Sequence, residues 1–212
     1  MTNKYMYFVA NWKMFGNLKS INSLNKVIKF SKSKEIKRGR LIYCPPFTLI
    51  SSFYKKFENC LIDIGAQNCH ESDNYGSHTG FINSKMLKSV GANYVILGHS
   101  ENRKKGETDK LINLKIKNAI NAKLKVIFCI GETLAEKRKR KTRSVLSRQI
   151  KIGLNEIKKN SNIFIAYEPV WSIGSGNIPK PKDLEQTINF IKKKFKGKLP
   201  KILYGGSVNP LN

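Results

Sequence analysis

Acidic side chains are scarce in this 212-residue chain: 14 Asp and Glu stand against 40 Lys and Arg, a formal net charge of +26. Histidine occurs three times and cysteine four times. With no C-x-x-C pair among them, neither a zinc site nor a disulfide framework is indicated. Cys44 and Cys129 sit inside apolar runs and read as small core residues, and neither Cys60 nor Cys69 carries the marks of a reactive thiol. No stretch reaches the ~18 consecutive apolar residues of a membrane span. The first apolar run, residues 5–10, is too short for a secretory signal and leads straight into Asn11-Trp12-Lys13. A cytoplasmic protein without membrane contact is therefore expected.

A large positive charge invites a nucleic-acid reading. The densest run is Lys137-Arg138-Lys139-Arg140-Lys141-Thr142-Arg143. The excess is nevertheless spread along the whole chain, and no zinc finger, RNP-like aromatic motif or G-x-x-G clamp accompanies it. It reads as solvated lysine on helix faces, with no specific nucleic-acid partner, although weak, salt-sensitive binding to polyanions would be in character.

What the sequence does contain is a regular alternation. Short runs rich in Val, Ile, Tyr and Phe lie at 5–10, 40–44, 61–65, 92–97, 124–130, 162–167 and 200–204. They show little polar alternation, so they predict seven strands buried on both faces. Between them lie helical stripes: Leu18, Ile21, Leu24, Val27 and Ile28 within a segment ending at Phe30; Leu111, Leu114, Ile116 and Ile120; Val145, Ile150, Leu154 and Ile157; and Leu184, Ile188, Ile191 and Phe195. Strands alternating with helices predict parallel βαβ units, and no composition break divides residues 1–212, so one α/β domain is expected.

In such folds the active groups lie at the carboxyl ends of strands. Asn11-Trp12-Lys13 follows the first run. Lys13 could send an ammonium into a cleft, although a surface lysine would look the same. Gly98-His99-Ser100-Glu101 follows the fourth. A helix starting at Ser100 would keep His99 neutral and able to donate to a carbonyl oxygen gaining charge, although a satisfied structural histidine is the commoner case at such a position. Glu168 follows the sixth run, and a carboxylate with little water around it is a stronger base. Trp171 can cover it, and the glycines after it can hinge a lid. Gly205-Gly206-Ser207 follows the seventh, with backbone N–H groups suited to a phosphate. A cation, a neutral electrophile, a base, a lid and an anion nest together suit proton abstraction beside the carbonyl of a small phosphorylated substrate.

The stretches "NWK" (11–13), "CPPFT" (44–48), "GAQN" (65–68), "TG" (79–80), "VILGHSE" (95–101), "CIGETL" (129–134), "AYEPVWSIGSG" (166–176) and "YGGSVN" (204–209) resemble triosephosphate isomerase, in family order and spacing. That resemblance implies a TIM (β/α)8 barrel and interconversion of dihydroxyacetone phosphate and D-glyceraldehyde 3-phosphate, with no cofactor and no metal. It implies Glu168, His99 and Lys13 as catalytic residues, and Asn11, Lys13, Gly174, Gly205, Gly206 and Ser207 as substrate-binding ones. Pro169, Val170, Trp171, Ser172, Ile173, Gly174, Ser175 and Gly176 become the lid. It also implies a homodimer docking through residues 75–80.

Two departures stand out. Phe81 and Asn102 replace the Glu and Arg usual at those positions, as though an ion pair were lost as a unit, avoiding one buried unpaired charge. The chain also stops at Pro210-Leu211-Asn212, before an eighth strand and its helix. Seven strands without an eighth predict a marginal barrel, open at one seam, with weakened phosphate binding. A catalytically impaired remnant and a basic polyanion-binding protein are the competing expectations.

Overall fold

The computed structural model describes residues 5–158, 162–197, 199–209 and 211. Each predicted run forms a strand: β1 (Met6–Asn11), β2 (Gly39–Cys44), β3 (Ile62–Ala66), β4 (Tyr94–Leu97), β5 (Lys125–Ile130), β6 (Ile163–Tyr167) and β7 (Lys201–Tyr204). Between them, among the described residues, lie α1 (Asn25–Ser31), α2 (Ile50–Lys56), α3 (Ser84–Ser89), α4 (Ser100–Lys104), α5 (Asp109–Asn121), α6 (Leu134–Arg138), α7 (Thr142–Gly153) and α8 (Pro181–Lys192). The chain divides into two compact units. One runs to Ile96 and takes in Asn118–Val126; the other comprises Leu97–Lys117 and the chain from Ile127 onward.

In the first unit the strand order is β1-β2-β3-β4, all parallel, with registers Met6↔Gly39, Leu41↔Ile62 and Gly65↔Tyr94. The two-sided burial expected of parallel strands holds for β4, whose four residues are all buried. Phe53 of α2 is fully buried and meets Trp12 and Phe57 edge-on, at centroid distances of 4.9 and 5.8 Å. Burying one such ring contributes about 1.5–3 kcal/mol. Gly65 is dictated by space, since a Cβ there would lie 2.5 Å from Cys44 Sγ.

β1 departs from two-sided burial. Met6 and Phe8 are 64% and 49% exposed, because their outward face lines an open groove with Val27 and Phe30 instead of a packed helix. The segment expected as one helix from Leu18 to Phe30 also differs. It is a 3-10 turn over Leu18–Leu24 followed by α1. Asn17 Oδ1 accepts from the N–H groups of Lys19 and Ser20, and Ser23 Oγ donates to Ser20 O at 2.7 Å. Such local side-chain bonds compete with the α-helical ladder.

In the second unit the strand order is β5-β6-β7, and β6 pairs in parallel with β7 from Phe164↔Lys201 to Tyr167↔Tyr204. All five residues of β6 are buried. On α5 Ile112 and Ile116 are buried, while Leu111 is half-buried and Leu114 is 50% exposed, so the expected stripe holds at Ile116 and fails at Leu114. Val145, Leu146 and Ile150 of α7 and Ile191 of α8 complete that unit's core, and Ile157 lies beyond the end of α7. Cys44 and Cys129 are buried and free, as their apolar neighbours suggested. Pro210 and Asn212 lie outside the described residues.

Candidate active site

In the second unit the carboxyl ends of β4, β5, β6 and β7 carry the polar residues. β4 ends at Leu97, and Gly98 turns the chain with φ 73°. A Cβ at Gly98 would come within 3.1 Å of both Arg103 and the Cys129 carbonyl. Arg103 secures this corner: Nε donates to Gly98 O at 2.7 Å, Nη2 to Cys129 O at 3.2 Å, and Nη1 to Asp109 at 2.5 Å. His99 is thereby fixed as the residue capping α4. Its Nδ1 accepts the Glu101 main-chain N–H at 3.3 Å. That bond needs a bare Nδ1, which favours the tautomer with its hydrogen on Nε2.

Nε2 points at Glu168. It lies 3.8 Å from Oε2, with the two side chains 8% and 13% exposed. The other oxygen, Oε1, accepts from the Cys129 thiol at 3.3 Å. Glu168 N donates to Ile130 O at 2.8 Å, which seats the residue just past the β5–β6 pairing. Two glycines make room for it. A Cβ at Gly131 would sit 1.9 Å from the Glu168 carbonyl oxygen, and one at Gly205 would sit 3.1 Å from Glu168 Cγ. Gln149 grips Gly131 in both directions: Gly131 N donates to Oε1 at 2.9 Å and Nε2 donates to Gly131 O at 3.1 Å.

The segment after Glu168 is anchored at one end and open at the other. Val170 N donates to Glu132 O, and Trp171 Nε1 donates to Glu132 Oε1 at 2.9 Å. The Tyr167 hydroxyl donates to the same buried carboxylate, 3.2 Å from either oxygen. Burial first, and then the Glu132 charge, pushes the Tyr167 phenol above its ordinary value. Lys137 Nζ lies 3.1 Å above the Trp171 ring. Ser172 is buried and donates to Asn177 O at 2.5 Å, while Ser175 Oγ donates to Trp171 O at 2.9 Å. Gly174 and Gly176 are exposed, have φ of 68° and 74°, and have open space where a Cβ would stand.

The turn after β7 corrects part of the expected anion nest. Gly205 N–H is taken by Tyr167 O at 2.9 Å, so Gly205 supplies space for Glu168 and no donor to a phosphate. Gly206 is likewise set by space, as a Cβ would fall 2.9 Å from both Ser172 Oγ and Tyr204 Oη. Ser207 has φ 45°, and its hydroxyl donates to Ser172 O.

Asn11 and Lys13 belong to the first unit. Lys13 has φ 53°, a left-handed conformation costly for lysine. Asn11 Oδ1 accepts from Lys13 N at 3.0 Å, and Gln67 Nε2 donates 2.8 Å to both Lys13 O and Cys44 O. Sequence reasoning quoted the stretches holding Gln67, Cys129, Gly131 and Glu132 without giving those residues tasks, and it passed over Gln149 entirely. Their signal was one of kind: a Glu and a Gln buried to 1% and 4% exposure must be satisfied by hydrogen bonds.

A family model for triosephosphate isomerase matches residues 6–212. The triosephosphate isomerase of Thermodesulfovibrio yellowstonii is 41% identical over 97% of this chain and 86% of its own, and that of Aquifex aeolicus 40% identical over 96% and 85%. The crystal structure of triosephosphate isomerase from Bartonella henselae superposes with a TM-score of 0.87 at 36% identity, covering 97% of this chain and 84% of that one. The architecture is thus that of the TIM (β/α)8 barrel, with seven strands among the described residues.

Proposed function

Because the chain belongs to the triosephosphate isomerase family, we propose that it interconverts dihydroxyacetone phosphate and D-glyceraldehyde 3-phosphate through an enediolate, with Glu168 as the base. Glu168 takes a proton from C1 of the ketone, the C–H electron pair moves into the C1–C2 bond, and the carbonyl oxygen becomes anionic. His99 gives its Nε2 proton to that oxygen and takes the O1 hydroxyl proton in its place; as the O1 electron pair closes the C1=O bond, the C1=C2 pair takes the proton back from Glu168 at C2. Lys13 balances the developing negative charge, and Asn11 holds its backbone. Residues 169–176 close over the phosphate, with Gly174, Gly206 and Ser207 at its edge. Closure shields the enediolate from water.

The observation that carries this reading is the Glu168–His99 pair, with Nε2–H facing a largely buried carboxylate at 3.8 Å. That proximity supports a base and an electrophile acting on one substrate. The test is a coupled isomerase assay on the purified chain, with Glu168→Asp as control. Turnover that falls sharply in that variant supports the assignment; turnover unchanged in it removes Glu168 from the mechanism.

The proposed assembly is a homodimer docking through residues 75–80. Tyr75 and Phe81 are 70% and 62% exposed, and they offer ring surface on either side of this segment that a partner would cover. Sedimentation showing only monomer at micromolar concentration would refute it. The proposed setting is the cytoplasm, where four free thiols persist as thiols. No helix among the described residues is long and apolar enough to cross a membrane.

A further inference from the structure

We propose that the corner between α6 and α7 is a second binding site, one that takes the phosphodiester backbone of single-stranded RNA without reading its sequence. Lys139 and Lys141 flank a left-handed turn at Arg140, whose φ is 55°. That turn places both lysines on the wall of one concavity of about 430 Å³, with Arg148 from α7 on the same wall and Ser144 between them. A groove lined by three cations and a hydroxyl matches a chain of phosphates better than a flat anionic surface.

The charges there are uncommitted. Lys139, Arg140 and Lys141 are exposed and form no ion pair with a described carboxylate, whereas Lys115, Lys117 and Arg103 each do. The acid lining the groove, Glu136, spends Oε2 on the Thr133 N–H and hydroxyl at 2.8 and 2.9 Å. It therefore caps α6, and its single negative charge is outnumbered by the three cations of the lining. Arg148 is the exception: its Nε pairs with Asp109 Oδ2 at 3.4 Å, while Arg103 holds Oδ1, and the Arg148 side chain remains 55% exposed. Base stacking has no platform, because the groove lining includes no aromatic ring. Recognition is therefore electrostatic and indifferent to sequence.

The experiment measures fluorescence anisotropy of a labelled oligouridylate of about 20 nucleotides against the intact protein, between about 50 and 200 mM salt. Binding is expected at low salt. The triple variant Lys139→Gln, Lys141→Gln, Arg148→Gln is expected to weaken it at least about tenfold and to lower the salt slope by about 2, at ~0.7 per phosphate contact. The double variant Lys139→Gln, Lys141→Gln changes only exposed side chains and guards against a folding defect, which thermal melting reports. A control variant, Lys26→Gln, Lys29→Gln, Lys32→Gln, removes equal charge from exposed positions in and just after α1. It is expected to stay within about threefold of the parent, since only Lys26 among its lysines lines a concavity, and that concavity is mostly apolar. Equal losses in groove and control variants would reduce the effect to bulk charge and overturn the proposal. So would undetectable oligouridylate binding at low salt, or equally tight binding of polyglutamate or of vesicles containing phosphatidylserine.

Discussion

Trp171 is bonded to Glu132: the indole N–H donates 2.9 Å to a carboxylate that is 1% exposed. The same carboxylate accepts from the Tyr167 hydroxyl. One buried acid thus ties the end of β6 to the first turn of the segment that follows Glu168. Replacing Glu132 with Gln puts an amide N–H₂ where two donors converge. Stability should fall by about 1–3 kcal/mol, the cost of leaving a buried donor unmet. A urea midpoint followed by Trp fluorescence checks this, and an unmoved midpoint would show that these bonds carry no net stability.

Glu168→Gln keeps shape and removes the base. Turnover should drop by about 10²–10⁴-fold with little change in KM, since a positioned proton acceptor contributes that much to the chemical step. A coupled assay against both triose phosphates measures it. A loss confined to KM would move Glu168 from chemistry to binding.

Two glycines should separate function from folding. Gly205→Ala brings a Cβ to 3.1 Å from Glu168 Cγ and 3.3 Å from its Oε1. The carboxylate must shift, and a displacement of ~1 Å costs about 10²-fold in rate. Gly131→Ala instead drives a Cβ to 1.9 Å from the Glu168 backbone oxygen, which no side-chain rotation relieves. That variant should be poorly folded or insoluble. Thermal melting with activity measured alongside distinguishes the two outcomes.

Lys115 and Glu107 form a buried ion pair at 2.5 Å, with side chains only 8% and 6% exposed. Lys115→Met strands the Glu107 charge and should cost about 3–5 kcal/mol. Adding Glu107→Leu should recover much of that loss, because two apolar groups leave no buried charge. Equilibrium denaturation of the single and double variants tests the cycle.

Alkaline pH should weaken the fold before acid-base chemistry at the site is considered. Burial raises the Cys44 thiol from its ordinary 9.0 to about 12, and it raises the Tyr43 and Tyr94 phenols. For Tyr94 the Asp63 charge adds to burial. In each case the folded protein holds its proton more tightly than the unfolded chain. The stabilisation is complete below the unfolded values and is lost as pH climbs toward the folded ones. The melting temperature should therefore hold up to pH 9.0 and decline toward about 12, less steeply in Cys44→Ala. A flat profile over that window would show that these groups ionise in place.

The strand set was legible because apolar runs such as Ile163–Tyr167 must hide both faces, and only a covered parallel sheet hides them. The positions of His99 and Glu168 were legible for a related reason: each is the first polar group beyond such a run. Local order also fixed the start of α4, where His99 caps the helix. Yet a stripe alone put Leu114 on the buried face of α5, where it is 50% exposed, and it missed the 3-10 turn after Asn17.

The sequence by itself determined which segments form strands and which polar groups stand at their ends, because periodicity and burial act between residues close in the chain. Tertiary structure alone decided that Gly205 yields room and not a hydrogen bond, and that Glu132 restrains Trp171. It also decided that β1 keeps an exposed face. Those outcomes rest on which atoms far apart in the chain come within a few ångströms, and no local pattern records that distance.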